Sequence, residues 1–251
     1  MQFLSDVIAN GFLGSLIAGA ATGLGAIPIL LGRRFSRRAL DLMLGLAAGV
    51  MLAASSFSLL IPAIDTGGVQ VAATGFLLGG LFVHLADRYV PHEHPNRKLE
   101  GPSSTMSRTW LLVLAITIHN FPEGLAVGVA FGSQNIGTAM SLATAIGLQN
   151  VPEGLAVAMV LVRDGYSKWR SAAYALLTGL VEPIGGLIGV SIVTLSAFLL
   201  PYGLAFAAGA MVFVVSDEMI PESHAGGFER AATVGLMIGF VVMMVLDNLF
   251  A

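Results

Sequence analysis

Long apolar segments separated by short polar connections dominate the pattern of hydrophobic and polar positions in this chain. A transmembrane helix needs about 20 consecutive, mainly apolar residues. Eight such segments are predicted, at residues 3–31, 39–64, 68–90, 107–132, 136–162, 168–195, 199–220 and 228–250. The pattern therefore predicts an all-α membrane protein with eight transmembrane helices, called spans one to eight below, in a single domain over residues 1–251.

The basic residues all fall in alternate connections between these spans. They are Arg33, Arg34, Arg37 and Arg38 after span one, Arg88, Arg97, Lys98 and Arg108 around the connection after span three, Arg163, Lys168 and Arg170 after span five, and Arg230 after span seven. Cytoplasmic loops of membrane proteins are enriched in lysine and arginine. The side that carries all 12 basic residues is therefore predicted to be cytoplasmic, which places both termini outside.

Composition supports the membrane assignment, because 56% of the 251 residues are hydrophobic and only 11% are charged, against about 25% charged in soluble domains. The chain has no cysteine, which excludes disulfides and thiolate metal sites. Its first residues lack the basic region of a signal peptide, so span one is predicted to stay in the protein. The expected surroundings are a lipid bilayer, and no nucleic-acid partner is expected.

Two copies of one polar motif interrupt spans four and five. Residues 119–127 and 149–157 are identical at seven of nine aligned positions, including an Asn-x-Pro-Glu-Gly core. His119 lies ten residues after Thr109, and Gln149 lies twelve after Gly137. At about 1.5 Å per residue, both motifs are predicted near the middle of a hydrocarbon core about 30 Å thick. Ionisable side chains at that depth indicate a functional site.

The spacing within each motif predicts which side chains share a helix face. Residues three or four positions apart in a helix are neighbours, so Glu123 aligns with His119 and Asn120. In the second motif, Glu153 aligns in the same way with Gln149 and Asn150. The pattern predicts two adjacent cation sites bridged by the two glutamates, one ringed by the His and Gln side chains and the other by the two Asn side chains.

Prolines accompany the acids. Pro122 and Pro152 cannot donate to the carbonyls four residues earlier, which predicts kinks at mid-membrane. Freed carbonyls are tolerated in a membrane when they line a cavity or bind a ligand. The alternative is that the prolines only kink their helices and that neighbouring helices satisfy the freed carbonyls. A third acid, Glu182, precedes Pro183 in the middle of span six.

No lysine or arginine lies at the depth of these three acids. They are therefore either protonated or neutralised by a bound cation. Glutamate, histidine and amide ligands without thiols favour Zn²⁺ or Fe²⁺ over Cu⁺.

Further polar residues are candidates for a transport pathway. Met51 and Ser58 in span two are possible metal ligands, although Met also fills apolar cores, and Asp65 ends that span. At the predicted cytoplasmic side, Asp87, His92, Glu93 and His94 lie opposite Asp217, Glu218, Glu222 and His224, where the alternative is a solvated loop.

Glycines at four-residue spacing recur in the spans. The pairs are Gly45 and Gly49, Gly75 and Gly79, Gly124 and Gly128, and Gly185 and Gly189. Such spacing lets helices approach closely in lipid, so these glycines are interpreted as packing residues.

Taken together, the His-Asn-x-Pro-Glu-Gly motif from His119, its echo from Gln149 and the Met-Leu-Ala-Ala-Ser-Ser-Phe-Ser stretch from Met51 resemble bacterial members of the ZIP family of zinc and iron transporters. The resemblance covers all eight spans and implies uptake of divalent metal through a two-metal site in the inner membrane. It implies one metal at His119, Glu123, Gln149, Glu153 and Met51. The other metal is implied at Asn120, Glu123, Asn150, Glu153 and Glu182.

The resemblance also implies homodimers and an elevator-like movement of spans one, four, five and six against the others. Many relatives carry histidine where this chain has Gln149. Glutamine is the weaker ligand, which leaves Fe²⁺, Cd²⁺, Mn²⁺ and Co²⁺ open beside Zn²⁺.

Two other functions use the same acids. One is an intramembrane metal-dependent hydrolase, against which the absence of a His-Glu-x-x-His motif argues, so no enzyme is predicted. The other is a proton-coupled carrier of another substrate, with the glutamates as a proton relay.

Overall fold

The computed structural model describes residues 2–33, 35–89 and 107–250, and in these residues every regular element is a helix, with no strand. The α-helices are α1 (Gln2–Gly25), α2 (Ile27–Leu30), α3 (Arg37–Ala53), α4 (Ile61–Tyr89), α5 (Arg108–Gly132), α6 (Ile136–Arg163), α7 (Lys168–Gly179), α8 (Glu182–Leu195), α9 (Leu200–Val214), α10 (Ile220–His224) and α11 (Glu229–Phe250). Ala197–Leu199 form a 3₁₀ turn, and two π-helical segments cover Ala54–Leu60 and Val215–Met219.

Seven helical segments among the described residues are long and apolar enough to cross a membrane. One of them, Arg37–Tyr89, has 53 residues, which at about 1.5 Å per residue is more than twice the thickness of a bilayer core. It combines predicted spans two and three. Its helical geometry is interrupted at Gly68, with φ 80° and ψ 163°. The turn predicted around residues 65–68 is therefore reduced to one non-helical residue, where glycine tolerates the positive φ.

Side-chain caps fix where several helices begin. Ser36 accepts a hydrogen bond from the Ala39 amide at 3.2 Å at the start of α3, and Asn135 accepts one from Thr138 at 3.2 Å before α6. Ser167 accepts one from the Arg170 amide at 3.4 Å before α7. Each cap satisfies one backbone donor that has no partner within the helix.

The four predicted glycine pairs all lie at close helix contacts, which confirms their interpretation as packing residues. A Cβ atom at Gly124 or Gly128 in α5 would collide with backbone carbonyls of α8, and one at Gly45 or Gly49 in α3 would collide with those of α11. The remaining pairs, Gly75 with Gly79 and Gly185 with Gly189, face α9 and α5 in the same way. Small residues thus let backbones touch without a ridge of side chains between them.

The helices form two groups. In the first, the motif group, α1 packs against α5, α6, α7 and α8. In the second, the flanking group, α3 pairs with α11 and α4 pairs with α9, and the two π-helical segments and α10 belong to it. The groups meet where α6 packs on α3 and α5 packs on α9. Both polar motifs therefore lie in one group, and His119 of the first motif contacts Glu218 of the other.

The three prolines beside acids have different effects on their helices. α5 and α6 continue through Pro122 and Pro152, respectively. Span six is interrupted, because α7 ends at Gly179 and α8 begins only at Glu182. Pro183 is then in the first turn of α8, where a missing N–H costs nothing.

Candidate metal centre

Seven polar side chains from three helices are buried together in the motif group. Each is at most 6% exposed: His119, Asn120 and Glu123 on α5, Gln149, Asn150 and Glu153 on α6, and Glu182 on α8. Buried polar groups are normally hydrogen-bonded. Their partners therefore decide whether the cluster is structural or functional.

The interruption of span six positions Glu182. Because α8 starts at this residue, its side chain projects from a helix end rather than from the middle of a continuous helix. Gly124, next to Glu123 in α5, lies against the backbone of Glu182, since a Cβ there would collide with the Glu182 carbonyl. The glycine of the first motif therefore brings the acid of α8 to the acid of α5.

Hydrogen bonds join the second motif to α8 and α1. The Gln149 Nε2 atom donates to Asn150 Oδ1 at 3.3 Å, and Asn150 Nδ2 donates to Glu182 Oε1 at 2.6 Å. The same Asn150 nitrogen lies 2.8 Å from the carbonyl oxygen of Ala18 in α1. Asn150 therefore orients Glu182 and leaves the second carboxylate oxygen of that residue unused.

Several buried atoms of the cluster have no hydrogen-bond partner of ordinary geometry among the described residues. They are the Asn120 amide atoms, both Glu123 oxygens, Gln149 Oε1, Glu153 Oε1 and Glu182 Oε2. All but one of these seven atoms are oxygens that can accept or coordinate. An unsatisfied buried polar atom costs about 1–3 kcal/mol, so this concentration indicates a ligand site.

The three glutamates are close enough to act electrostatically on one another: Glu123 and Glu153 both act on Glu182, and Glu123 acts on Glu153. The ion pairs recorded among the described residues join Arg37 to Asp41 and His119 to Glu218, and neither includes these acids.

A second cluster lies beside the first. Ligand atoms of Asp87, His119 and Glu218 all lie within 4.8 Å of one another, and His119 Nε2 contacts a Glu218 oxygen. These residues come from α4, α5 and the π-helical segment Val215–Met219. The structure thus brings together Asp87 and Glu218, which the sequence placed opposite each other, and it adds His119. His119 therefore belongs both to the first motif and to this second cluster.

The other candidates are placed as follows. Met51 is 1% exposed in the core, and Asp65 is exposed at the end of its segment. The Ser58 hydroxyl donates to Asp247 Oδ1 at 2.5 Å. Glu222 is half-buried near Glu218, Asp217 is half-buried, and His224 Nδ1 lies 2.7 Å from the Ile220 carbonyl oxygen. His92, Glu93 and His94 lie outside the described residues.

Comparison with known proteins identifies the family. A family described as ZIP Zinc transporter matches residues 92–247. A zinc transporter from Myxococcus xanthus, GufA, is 52% identical over 248 residues, which cover 94% of this chain and 97% of the relative. The chain belongs to the ZIP family.

Other ZIP relatives cover the chain as fully. Zinc transporter ZIPB from Bordetella bronchiseptica is 46% identical over 96% of this chain and 81% of its own length. Human zinc transporter ZIP11 is 38% identical over 96% of this chain and 97% of its own. With these relatives and its membrane-capable helices, this ZIP protein is an integral multi-pass membrane protein. Membership of a transporter family agrees with the prediction that it is not an enzyme.

Two acids of this ZIP protein were missed in the sequence. Asp41 in α3 is completely buried, with Arg37 Nε 3.1 Å from its Oδ1 atom, and Asp247 in α11 bonds to Ser58. Both stand in apolar segments, which is the signal that could have found them. The two π-helical segments carry no comparable sequence signal, although π geometry is frequent at functional sites.

Proposed function

We propose that this ZIP protein transports Zn²⁺ and similar divalent cations across the membrane into the cytoplasm. The observation that carries the proposal is the set of buried, unpartnered oxygens around Glu123, Glu153 and Glu182. A divalent cation supplies the charge that these carboxylates lack, and their donor set suits Zn²⁺. The zinc-transporter names of the relatives support the same substrate.

Two ions are proposed at the centre, bridged by Glu123 and Glu153. The first is assigned to Met51, His119 and Gln149 together with the bridging acids, and the second to Asn120, Asn150 and Glu182 with the same acids. The hydrogen bond from Asn150 Nδ2 to Glu182 Oε1, at 2.6 Å, supports the second set because it holds two of its side chains together. Glutamate and amide oxygens hold Zn²⁺ less tightly than thiolates, which suits an ion that must leave.

His119 is proposed to pass the ion onwards. It is the first residue of the first motif on α5 and touches Glu218, so one imidazole can serve the central site or the cluster with Asp87. Glu222, which interacts with Glu218 and His119, continues this line of acids. Distribution of the basic residues makes this the cytoplasmic end. Asp65 is proposed at the opposite entrance, and the hydrogen bond of Ser58 with Asp247 is proposed to hold its two helices together.

The proposal includes eight spans, with Arg37–Tyr89 crossing twice around Gly68 and both termini outside. It also includes movement of the motif group against the flanking group, and a homodimer. Close glycine contacts within each group support movement of each as a unit, because backbones in direct contact resist separation. Gln149 is proposed to relax the choice of metal, so that Fe²⁺, Cd²⁺, Mn²⁺ and Co²⁺ compete with Zn²⁺.

Uptake of radioactive zinc into proteoliposomes tests the proposal. Glu123→Gln and Glu153→Gln keep the side-chain shape but remove the charge, so we expect uptake to fall to that of empty liposomes. Glu229→Gln is the matched control, because Glu229 is an exposed acid at the start of α11. Undiminished uptake in both central variants would overturn the proposal.

Metal content separates transport of metal from the proton-relay alternative. After incubation with zinc and gel filtration, the protein is expected to retain zinc, and the two central variants are expected to retain less. A protein that retains none, while protons still drive uptake of another solute, would favour the relay.

A further inference from the structure

A groove with a volume of about 350 Å³ lies between the two helix groups, and no side chain of the polar cluster lines it. Its floor is formed by buried side chains, of which Leu125 and Val129 in α5 and Val193 in α8 are at most 8% exposed. Its mouth is formed by Phe82, Ile188 and Ile192, which are 40–44% exposed. The groove therefore opens on the outer, apolar surface of the helices.

The groove exists because the two neighbouring helix pairs are each packed tightly within themselves. Gly128 brings α5 onto α8, and Gly79 brings α4 onto α9, in both cases at backbone contact. Between the pairs, Gly189 and Gly203 line the groove and contribute no side chain to fill it. An unfilled apolar cavity costs free energy in proportion to its volume, so an apolar occupant stabilises this seam.

The shape of the groove fits one hydrocarbon chain. Phe121, Leu125 and Val129 line it at four-residue intervals, which gives a length of roughly 12 Å along α5. One end is closed by phenylalanines: Phe82 packs against Phe121 with ring centroids 6.3 Å apart, and against Phe206 at 5.5 Å. The other end lies at Leu199, beside the turn that joins α8 to α9.

The groove is continuous with the surface that faces the bilayer. Exposed large side chains next to its mouth include Leu187 on α8, 43% exposed, and Leu81 on α4, 49% exposed. Lipid acyl chains are the solvent of that surface in a multi-pass membrane protein. Beyond Val193, which both share, a smaller pocket of about 170 Å³ is lined by Ser133, Gln134 and Thr194. Its polar side chains suit the ester region of a phospholipid.

We propose that the groove binds one acyl chain of a membrane phospholipid. The chain enters from the leaflet at the α8–α9 turn, its terminal methyl group lies against the phenylalanines, and its ester region lies at the smaller pocket. Phe121 belongs to the first polar motif, so the bound chain forms an apolar wall directly behind that motif. The chain also fills the seam between the motif group and the flanking group.

The test uses the full chain in vesicles of phosphatidylethanolamine and phosphatidylglycerol. A small share of the phosphatidylglycerol carries a photoactivatable diazirine near the end of one acyl chain. After illumination and digestion, mass spectrometry is expected to find label concentrated on peptides that contain Phe121, Leu125 and Phe206. Label spread evenly over the exposed apolar surface would overturn the proposal, and so would a groove that carries no label.

A matched pair of variants tests the position of the chain. Ile188→Trp fills the mouth, whereas Leu187→Trp adds the same bulk one residue away, at a side chain of similar exposure that does not line the groove. We expect Ile188→Trp to reduce the groove label about tenfold, equivalent to 1.4 kcal/mol of lost binding free energy. Leu187→Trp is expected to leave it unchanged. Equal labelling of the two variants would overturn the proposal.

A substitute variant and a competition experiment complete the test. If Ile188→Trp elutes as an aggregate in gel filtration, Ile192→Phe takes its place, since Ile192 also lines the mouth. Competition with unlabelled lipid distinguishes the source of the chain: excess phosphatidylglycerol is expected to suppress the groove label, and an equal amount of free fatty acid is not. Equal competition by the fatty acid would overturn the assignment to phospholipid.

Discussion

The motif group and the flanking group pack in the same way but differ in how their buried polar side chains are satisfied. Glycines bring α5 onto α8 in the first group and α3 onto α11 in the second, each at backbone contact. In the flanking group, Ser55 donates to the Met51 carbonyl at 2.7 Å and Ser58 donates to Asp247. Its buried hydroxyls are thus satisfied within the protein.

The motif group contrasts with this. Glu123 is buried on the same kind of tightly packed helix, yet both of its oxygens lack a partner of ordinary geometry among the described residues. Evolution of a stable core normally removes such atoms, because each costs free energy. Bonds within the protein therefore account for these flanking hydroxyls, whereas the acids of the motif group need a ligand. Four predictions test this difference.

The largest effect is expected from Glu182→Gln. Asn150 can still donate to the remaining side-chain oxygen, so the fold is kept, but the charge offered to the metal is lost. We expect zinc uptake to fall to the level of empty liposomes, while thermal stability without metal stays equal or rises, because a buried unpaired charge is removed. An uptake assay measures transport, and circular dichroism during heating measures thermal stability. If both the thermal stability and the uptake fall, the role of Glu182 is structural.

Alanine at the packing glycines should act on both groups alike. Gly128→Ala and Gly49→Ala each place a Cβ against a backbone carbonyl, and we expect each to lower the free energy of unfolding by about 1–3 kcal/mol. Gly80→Ala is the control, because the nearest atom to a Cβ there lies 3.8 Å away. Helix propensity should make this control neutral or slightly stabilising. Thermal unfolding in detergent measures all three, and destabilisation confined to one group would break the comparison.

Some features of the fold and the site could be predicted from the sequence, and others could not. The membrane helices followed from hydropathy, because only helices and closed barrels satisfy backbone groups in lipid. The burial of His119, Glu123 and Glu153 followed from their depth. The contact of His119 with Glu218 did not follow, because it depends on how α5 meets a π-helical segment that has no sequence signature. The pairing of Ser58 with Asp247 joins residues 189 positions apart, which local spacing cannot reveal.

A smaller effect is expected at Gln149, which supplies a weaker metal ligand than histidine would. Gln149→His replaces an amide by an imidazole, a better ligand for zinc. We expect the zinc concentration that gives half-maximal uptake to fall by up to about tenfold, or 1.4 kcal/mol. Competition by Mn²⁺ and Co²⁺ should weaken at the same time. Gln70→His, at an exposed position of α4, is the control, and an equal response in both would contradict a role of Gln149 in metal choice.

The smallest effect belongs to the flanking group. Ser58→Ala removes the donor to Asp247, and we expect a loss of about 1 kcal/mol in the free energy of unfolding, with the maximal uptake rate changed by less than about twofold. Ser56→Ala is the matched control, since the Ser56 hydroxyl bonds only to the Leu52 carbonyl of its own helical turn at 2.8 Å. Its removal leaves no side chain of another helix unsatisfied and should cost less. If Ser58→Ala instead abolished uptake at unchanged stability, satisfied polar groups would be functional too, and hydrogen-bond partners would no longer distinguish the two groups.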